Sequence, residues 1–453
     1  MKISKLLQML FEKERWDKAI KKAIQKGIND TTLKKLCDPQ TRIDMYLNIL
    51  NGNYEIMVFH IAEIPKDDGG IRKVWVAEAE DRVLLSIIND CLMELFRDIL
   101  ISKYCKSYLS GISTQMTVLK TSNTMAKLEK RFPDKQTTLK VDLRKYFDTV
   151  KIEVIDFIFN IIERMLGFEY GTEPVINVLR KLYHRNLVFN ENGELVELYG
   201  SLMQGCAISG FLADVVLYDI DEMMAKEFKY YVRYSDDMII LDEDIDKAEE
   251  ILEKELPKYG VSLHPKKREK KKSDEWIKFL GFYIKGERIT LSETRLKKIT
   301  KAIVQATIAK PFITPEQALT NIKRILYGYD LNGYSFATAC FHAMRNNDKD
   351  MIILDNFIKD CYRIVVIRHE YNQKRKKNNL KPKSWSYGFQ HIGGIGIEFN
   401  DDCIFKRGTG TKVGRANRET EKWIDNYLSL RCLMNDYKMH PSVFEACVRG
   451  MNM

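Results

Sequence analysis

Three carboxylates have types and settings that could do chemistry. Asp142 closes an apolar run beginning Leu139-Lys140-Val141, and Asp236-Asp237 lie between Tyr231-Val232-Arg233-Tyr234 and Met238-Ile239-Ile240-Leu241. An acidic pair flanked by β-forming residues is costly unless it turns to solvent or meets a cation. A hairpin would project the pair from the edge of a packed sheet, where a second strand end can meet it. Oxygen donors of this kind suit Mg²⁺, a hard cation that takes a few carboxylates together with substrate phosphates. Two such ions about 3.5–4 Å apart activate an attacking hydroxyl and stabilise a leaving oxygen. In that chemistry Asp142 and Asp236 bridge both ions and Asp237 completes the set. The plain alternative is an exposed hairpin turn, which Asp-Asp also marks.

Strands and helices must bring these residues together. The pattern predicts a strand over 137–143, ending in Asp142, and two short strands over 230–241 around Ser235-Asp236-Asp237. Helices are expected over 152–165, over 207–224 as one apolar helix, and over 245–256 as an acidic amphipathic one. Upstream, residues 1–50 read as helical. Residues 54–64 and 71–76 read as a β-hairpin turning at Lys66-Asp67-Asp68-Gly69-Gly70. A helix with the stripe Val83, Leu84, Ile87, Ile88, Cys91, Leu92, Leu95 follows, and core packing accounts for it. A second hairpin is expected over 276–291, turning at Lys285-Gly286. Residues 292–345 read as mostly helical with breaks at Pro311 and Pro315, and 349–371 as a further helix. The order of elements over 137–291 fits a mixed sheet with helices on one face, an α+β arrangement.

Composition sets the outer bounds. The chain has 453 residues, 45% hydrophobic and 30% charged, which is too apolar for a disordered protein. Its net charge of +10 favours a polyanionic partner without requiring one. Nine cysteines, at 37, 91, 105, 206, 340, 361, 403, 432 and 447, include no C-x-x-C pair, so a zinc ribbon has no support. Their odd number and wide spacing fit reduced thiols. The first residues read as an amphipathic helix and not a signal peptide. No apolar run approaches the ~20 residues of a membrane span. A soluble, cytoplasmic protein without a membrane partner is expected.

The sequence around the carboxylates resembles a known family. Tyr234-Ser235-Asp236-Asp237 is similar to the Y-x-D-D motif of reverse transcriptases, preceded by an Arg233 often found in bacterial members. The run from Asp142 to Asp148 (D-L-R-K-Y-F-D) resembles their first catalytic motif, with an aromatic five residues after the acid. The run from Gln204 to Ser209 resembles the Q-G-x-x-x-S segment, and His264-Pro265-Lys266-Lys267 stands where N-P-x-K is usual. Phe279-Leu280-Gly281-Phe282 matches the F-L-G-F primer-grip hairpin. Gly69-Gly70-Ile71-Arg72-Lys73 and Glu80-Asp81-Arg82 resemble the fingers of group II intron and retron enzymes. These motifs stand in the family's order and cover roughly residues 54–291.

The resemblance implies a right-hand polymerase: N-terminal helices and fingers over 1–135, palm over 136–291, helical thumb over 292–348, and an added C-terminal region over 349–453. It implies that Asp142, Asp236 and Asp237 hold two Mg²⁺ ions, or Mn²⁺, with the Leu143 carbonyl as a further ligand. Phe147 would lie under the incoming sugar and exclude a 2′-hydroxyl. Arg72 would reach the triphosphate with a planar fork suited to phosphate, with Lys66 and Lys73 as neighbours. Gln204 and Gly205 would sit against nucleotide and template, glycine permitting close approach. Lys267 would protonate departing pyrophosphate, or join Lys266, Arg268, Lys270, Lys271 and Lys272 in a phosphate-contacting patch. Phe279 and Gly281 would contact nucleic acid. Partners implied are an RNA template, a DNA product and deoxynucleoside triphosphates.

Some residues depart from the intron-type pattern. Gly210 stands where a proline usually follows the Q-G-x-x-x-S serine, Ser235 replaces the common alanine, and His264 replaces asparagine. Ser107-Tyr108-Leu109-Ser110-Gly111 stands in place of Y-x-F-R-P-G. Such departures are similar to those of the bacterial "unknown group" reverse transcriptases. Those proteins act in defence against phage, and several copy a small non-coding RNA.

Near the C-terminus Lys374, Arg375, Lys376 and Lys377, with Lys381, Lys383, Trp385 and Tyr387, mix cations with aromatics. That mixture suits a structured RNA, and a solvated basic loop suits it equally. The glycine runs at 393–396 and 408–412 lack Walker A spacing and read as turns. Two rival functions stand beside the polymerase: an RNA-dependent RNA polymerase, and an RNA-binding scaffold that keeps the fold without turnover.

Overall fold

The computed structural model describes residues 2–25, 27, 28, 30–65, 70–109, 114–327, 344, 347–383, 397, 398, 406, 407 and 418–427. The chain divides into two compact units that interleave along the sequence. One comprises residues 1–109 and 138–270, the other residues 110–137 and 271–453. The fold is α+β.

In the first unit the strands are Phe59–Pro65 (β1), Ile71–Val76 (β2), Gln136–Leu143 (β3), Leu187–Phe189 (β4), Leu195–Glu197 (β5), Tyr230–Tyr234 (β6), Asp237–Leu241 (β7) and Leu263–Lys272 (β8). They form two four-stranded sheets, ordered β2-β1-β4-β5 and β6-β7-β3-β8. The strands β7 and β3 are interior to the second sheet. Their side chains Met238, Ile239, Ile240, Leu241, Leu139 and Val141 are all buried. Near-continuous apolar runs are what an interior strand covered on both faces requires. The helix Ile152–Met165 contributes Ile155, Ile158, Phe159 and Ile162 to the same core at helical spacing. Strand β8, at the sheet edge, is instead exposed along Pro265, Lys266 and Lys267. Proline and lysine on an edge discourage pairing with another chain.

The β1–β2 hairpin forms with Ile64 opposite Arg72, but β1 begins at Phe59 and not near Tyr54. Residues 54–58 are diverted to the buried Asp81. The Tyr54 hydroxyl donates to one of its oxygens at 2.7 Å and the Met57 N–H to the other at 2.8 Å. The turn residues Lys66 to Gly69 lie outside the described residues.

The single helix expected over 207–224 is two, Ser209–Val216 and Tyr218–Glu227. A continuous helix would bond the Ala213 and Asp214 carbonyls to the N–H groups of residues 217 and 218. Those carbonyls instead accept from Arg233, and Ala213 also from the Tyr146 hydroxyl at 2.6 Å. The Leu217 N–H turns back to the Val215 carbonyl, and the helix breaks there.

In the second unit, the region read as one hairpin over 276–291 is a three-stranded meander: Ile277–Phe279 (β9), Phe282–Lys285 (β10) and Arg288–Leu291 (β11). The extra turn falls at Leu280-Gly281, whose φ values of +50° and +80° suit a two-residue hairpin. Helices Thr114–Arg131, Glu293–Ala306 and Pro315–Tyr327 belong to this unit, the last opening on the proline expected to interrupt the region. The helix Asp348–Lys377 runs longer than expected and takes in the whole basic run. That run is therefore a helix end and not a loop. The short strands at 397–398 and 406–407 pair, and Arg418–Tyr427 is helical. The glycine runs at 393–396 and 408–412, with Trp385 and Tyr387, lie outside the described residues.

Candidate active site

The register of the second sheet sets the three carboxylates. Asp142, near the end of β3, is the partner of Asp237 at the start of β7, and Asp236 sits in the turn joining β6 to β7. The Leu143 N–H donates to the Asp236 carbonyl at 2.9 Å, extending the ladder onto the turn. The side chain of Leu143 points into the core. Burial and the charge of Asp142 push the Asp236 carboxyl above its ordinary range, with Lys267 and Arg72 pulling the other way. Burial also pushes Asp237 up to about 6, Lys140 opposing and Asp236 and Asp142 adding to the rise. Asp236 and Asp237, crowded beside Asp142, thus resist ionisation, as acids do in a site built to receive a cation.

Two lysines supply part of that charge. The Lys267 ammonium donates to Asp142 Oδ2 at 2.8 Å, and Lys140 lies 3.8 Å from Asp237 Oδ1. Burial pulls Lys267 down, but its bond to Asp142 and the charges of Asp236 and Asp237 hold it above the usual lysine value. Among the described residues no group of three or more His, Cys, Asp or Glu side chains closes into a metal cage. The donor set nevertheless fits a hard divalent ion of the Mg²⁺ type. Such ions use one or two protein carboxylates and fill their remaining positions with water and substrate phosphate.

Two further cations on β8 are engaged elsewhere. Arg268 pairs with Glu249 at 3.0 Å and with Glu253, and Lys270 pairs with Asp246 and with Glu249 at 2.7 Å. The acidic face of the helix Ile245–Glu255 thus neutralises these two members of the basic run.

Phe147 lies in the short helix Tyr146–Thr149 after β3, half-buried against the core and edge-on to Tyr146 at 5.7 Å. Its carbonyl accepts from the Leu202 N–H at 3.1 Å, which ties it to the segment leading into Gln204. Gln204 in turn accepts from the Trp75 N–H at 2.7 Å through its backbone carbonyl. Gly205 has φ +109°, and a Cβ there would lie 2.8 Å from the Trp75 carbonyl. The close approach that demands glycine is therefore by the protein's own strand β2. That strand also carries Arg72, exposed near its start and felt electrostatically by Asp236. Lys73, on the same strand, lies 3.8 Å from Glu63 and 3.9 Å from Glu191.

Sequence reasoning missed the support beneath the turn. Arg233 is fully buried and grips Asp221 with two bonds, Nε to Oδ1 at 2.8 Å and Nη2 to Oδ2 at 2.7 Å. Its remaining donors hold the Ser235, Ala213 and Asp214 carbonyls. One guanidinium thus fastens the turn that bears Asp236 to the helix pair behind it. Asp214 accepts from Cys105 at 3.1 Å and from Ser107, and burial pushes it up to about 6 despite Arg233. A signal was present: Asp214 and Asp221 stand seven residues apart in an apolar helical stretch, where buried acids need a cation.

Phe279 is buried, and Gly281 closes the β9–β10 turn with its carbonyl accepting from Ser292. Lys374, Arg375, Lys376 and Lys377 form the last turn of their helix, where cations complement the exposed carbonyls. Arg375 bonds the Lys381 carbonyl at 2.8 Å.

Residues 64–284 match the family model described as reverse transcriptase (RNA-dependent DNA polymerase). That stretch, just under half of the chain, is similar to a reverse transcriptase domain. Domains of this family are nucleotidyltransferases and generally use divalent metal ions. Among curated proteins, the COX1/OXI3 intron 1 protein of Saccharomyces cerevisiae is 24% identical over 192 residues, 41% of this chain. The chain spans about a fifth of that relative's length, 21%. Among solved structures, telomerase from Candida albicans with a TWJ fragment of telomeric RNA has a TM-score of 0.39 at 14% identity, covering 71% of this chain and 62% of its own. The Sicinivirus 3Dpol RNA-dependent RNA polymerase has a TM-score of 0.37 at 10% identity, covering 66% of each chain. No described helix is long and apolar enough to cross a membrane.

Proposed function

We propose that this chain is an RNA-directed DNA polymerase. It reads an RNA template, consumes deoxynucleoside triphosphates and releases pyrophosphate. The observation that carries the reading is the register placing Asp142 opposite Asp237, with Asp236 in the turn beside them, inside the matched reverse transcriptase domain. Two Mg²⁺ ions held by Asp142, Asp236 and Asp237, with the Leu143 carbonyl, would supply activation of the primer hydroxyl and stabilisation of the leaving oxygen. Lys267, protonated and bonded to Asp142, is the group we assign to the departing pyrophosphate. Phe147 is the sugar gate, and Arg72 is the ligand for the triphosphate. We assign fingers to residues 1–135, palm to 136–291, thumb to 292–348 and an RNA-binding role to 349–453. The departures at 107–111, 210, 235 and 264 support a place among bacterial defence enzymes that copy a structured non-coding RNA.

The test is primer extension on RNA with Mg²⁺, comparing deoxynucleoside with ribonucleoside triphosphates, alongside sequencing of the RNA and DNA that co-purify from cells. One discrete RNA with complementary DNA, absent from an Asp236→Ala control, is the expected result. Extension with ribonucleotides alone would make it an RNA polymerase. The same RNA in both samples with no extension at all would make it a scaffold.

A further inference from the structure

Three of the departures from the intron-type pattern meet at one point. The Tyr108 hydroxyl lies 3.3 Å from Ser235 Oγ, and its ring lies over Gly210. A Cβ on residue 210 would press into that ring at 3.0 Å, so a proline or alanine there would displace Tyr108. An alanine at 235 would offer it no hydroxyl. Each departure makes room for, or a partner for, the next.

The segment before Tyr108 is sewn to the strand that leads into the turn. The Arg233 N–H donates to the Tyr104 carbonyl at 3.1 Å, and the Lys106 N–H donates to the Arg233 carbonyl at 2.8 Å. Ser107 donates to Asp214. Tyr108 is thereby delivered over the turn with φ +49°, and Ser235 itself has φ +58°. Left-handed backbone at residues other than glycine persists only where surrounding groups hold it. Arg233 holds the Ser235 carbonyl from beneath. Tyr108 holds its side chain from the other side while remaining 51% exposed.

We propose that Tyr108, Gly210 and Ser235 form a clamp in which Tyr108 is a positioning residue for Asp236, fixing the turn through Ser235. The proposal rests on the polymerase reading, and it concerns the rate of transfer, not the affinity for nucleotide.

The experiment is a double-mutant cycle on the full chain with Tyr108→Phe, Ser235→Ala and the pair, read as kcat and KM for nucleotide in primer extension. Each single variant is expected to lower kcat about 3- to 10-fold, the worth of one modest hydrogen bond, with KM unchanged. The pair is expected to match a single variant and not the product of the two. Gly210→Ala is expected to lower kcat in the parent and to add nothing in a Tyr108→Ala background. Multiplying effects, or a change confined to KM, would overturn the clamp. The same cycle is read in urea-unfolding midpoints, where coupling is again expected and additive midpoints would overturn the contact. A parent that extends no primer yet shows coupled midpoints sinks the polymerase reading and leaves the clamp standing.

Discussion

Asp236 carries its charge into a place already occupied by Asp142 and Asp237, and burial raises its carboxyl. Its replacement by asparagine should lower extension by several orders of magnitude and leave RNA affinity intact. The same variant should unfold at a higher urea concentration, because it removes repulsion that the fold tolerates for function. Equal loss of RNA binding, or a lower midpoint, would show that Asp236 is structural. Phe147→Ala should admit ribonucleotides at least about tenfold better, read as the ratio of kcat/KM values. An unchanged ratio would remove its gate role. Arg233 is a different kind of residue: fully buried, it fastens the turn from beneath. Arg233→Ala leaves Asp221 buried without its partner and should cost about 3–5 kcal/mol. Stability within about 0.5 kcal/mol of the parent, by chemical denaturation, would mean the pair is not the anchor described here. Asp142, Asp236 and Asp237 were legible from sequence because each stands beside a local strand pattern. The role of Arg233 is not, because Asp221, Asp214 and Ala213, which it ties to the turn, lie 12 to 20 residues away on other elements.

At the scale of elements, polar anchors decide where helices begin and end. The break at Leu217 follows from carbonyls captured by Arg233, and residue periodicity alone could not foresee it. Glu173 does the converse and joins two helix starts. It accepts from the Ile176 N–H at 2.6 Å at the head of Pro174–His184, and from Ser4, which itself caps Lys5–Leu10. Burial pushes Glu173 up to about 7, although the bonds from Ser4 and Ile176 oppose the rise. The folded chain therefore holds this proton more tightly than the unfolded chain. Its contribution to stability is full below about pH 4.5 and falls as pH rises toward about 7. The loss is on the order of 3 kcal/mol, the size of that shift. Glu173→Gln should flatten the pH dependence of the urea midpoint across this window. A slope as steep as the parent's would assign the effect to another group.

The whole molecule differs most from a linear reading of its sequence. Residues 110–137 belong with the chain after 271 and not with their neighbours on either side. Only long-range packing produces that interleaving, and no window of sequence reports it. Charge shows the same gap between sequence and fold. The net +10 suggests a polyanion, yet Arg268 and Lys270 spend their charges on the helix Ile245–Glu255. The cluster at Lys374, Arg375, Lys376 and Lys377 also has an internal use at its helix end, where Arg375 bonds a backbone carbonyl. If it nevertheless meets RNA phosphates, its removal must show in the salt dependence of binding. Each neutralised phosphate of a single strand contributes about 0.7 to the slope of log K against log salt. Replacing all four by alanine should weaken RNA binding and reduce that slope by about 2 to 3, whichever RNA sequence is used. An unchanged slope with a lower unfolding midpoint would assign the cluster to its helix end alone.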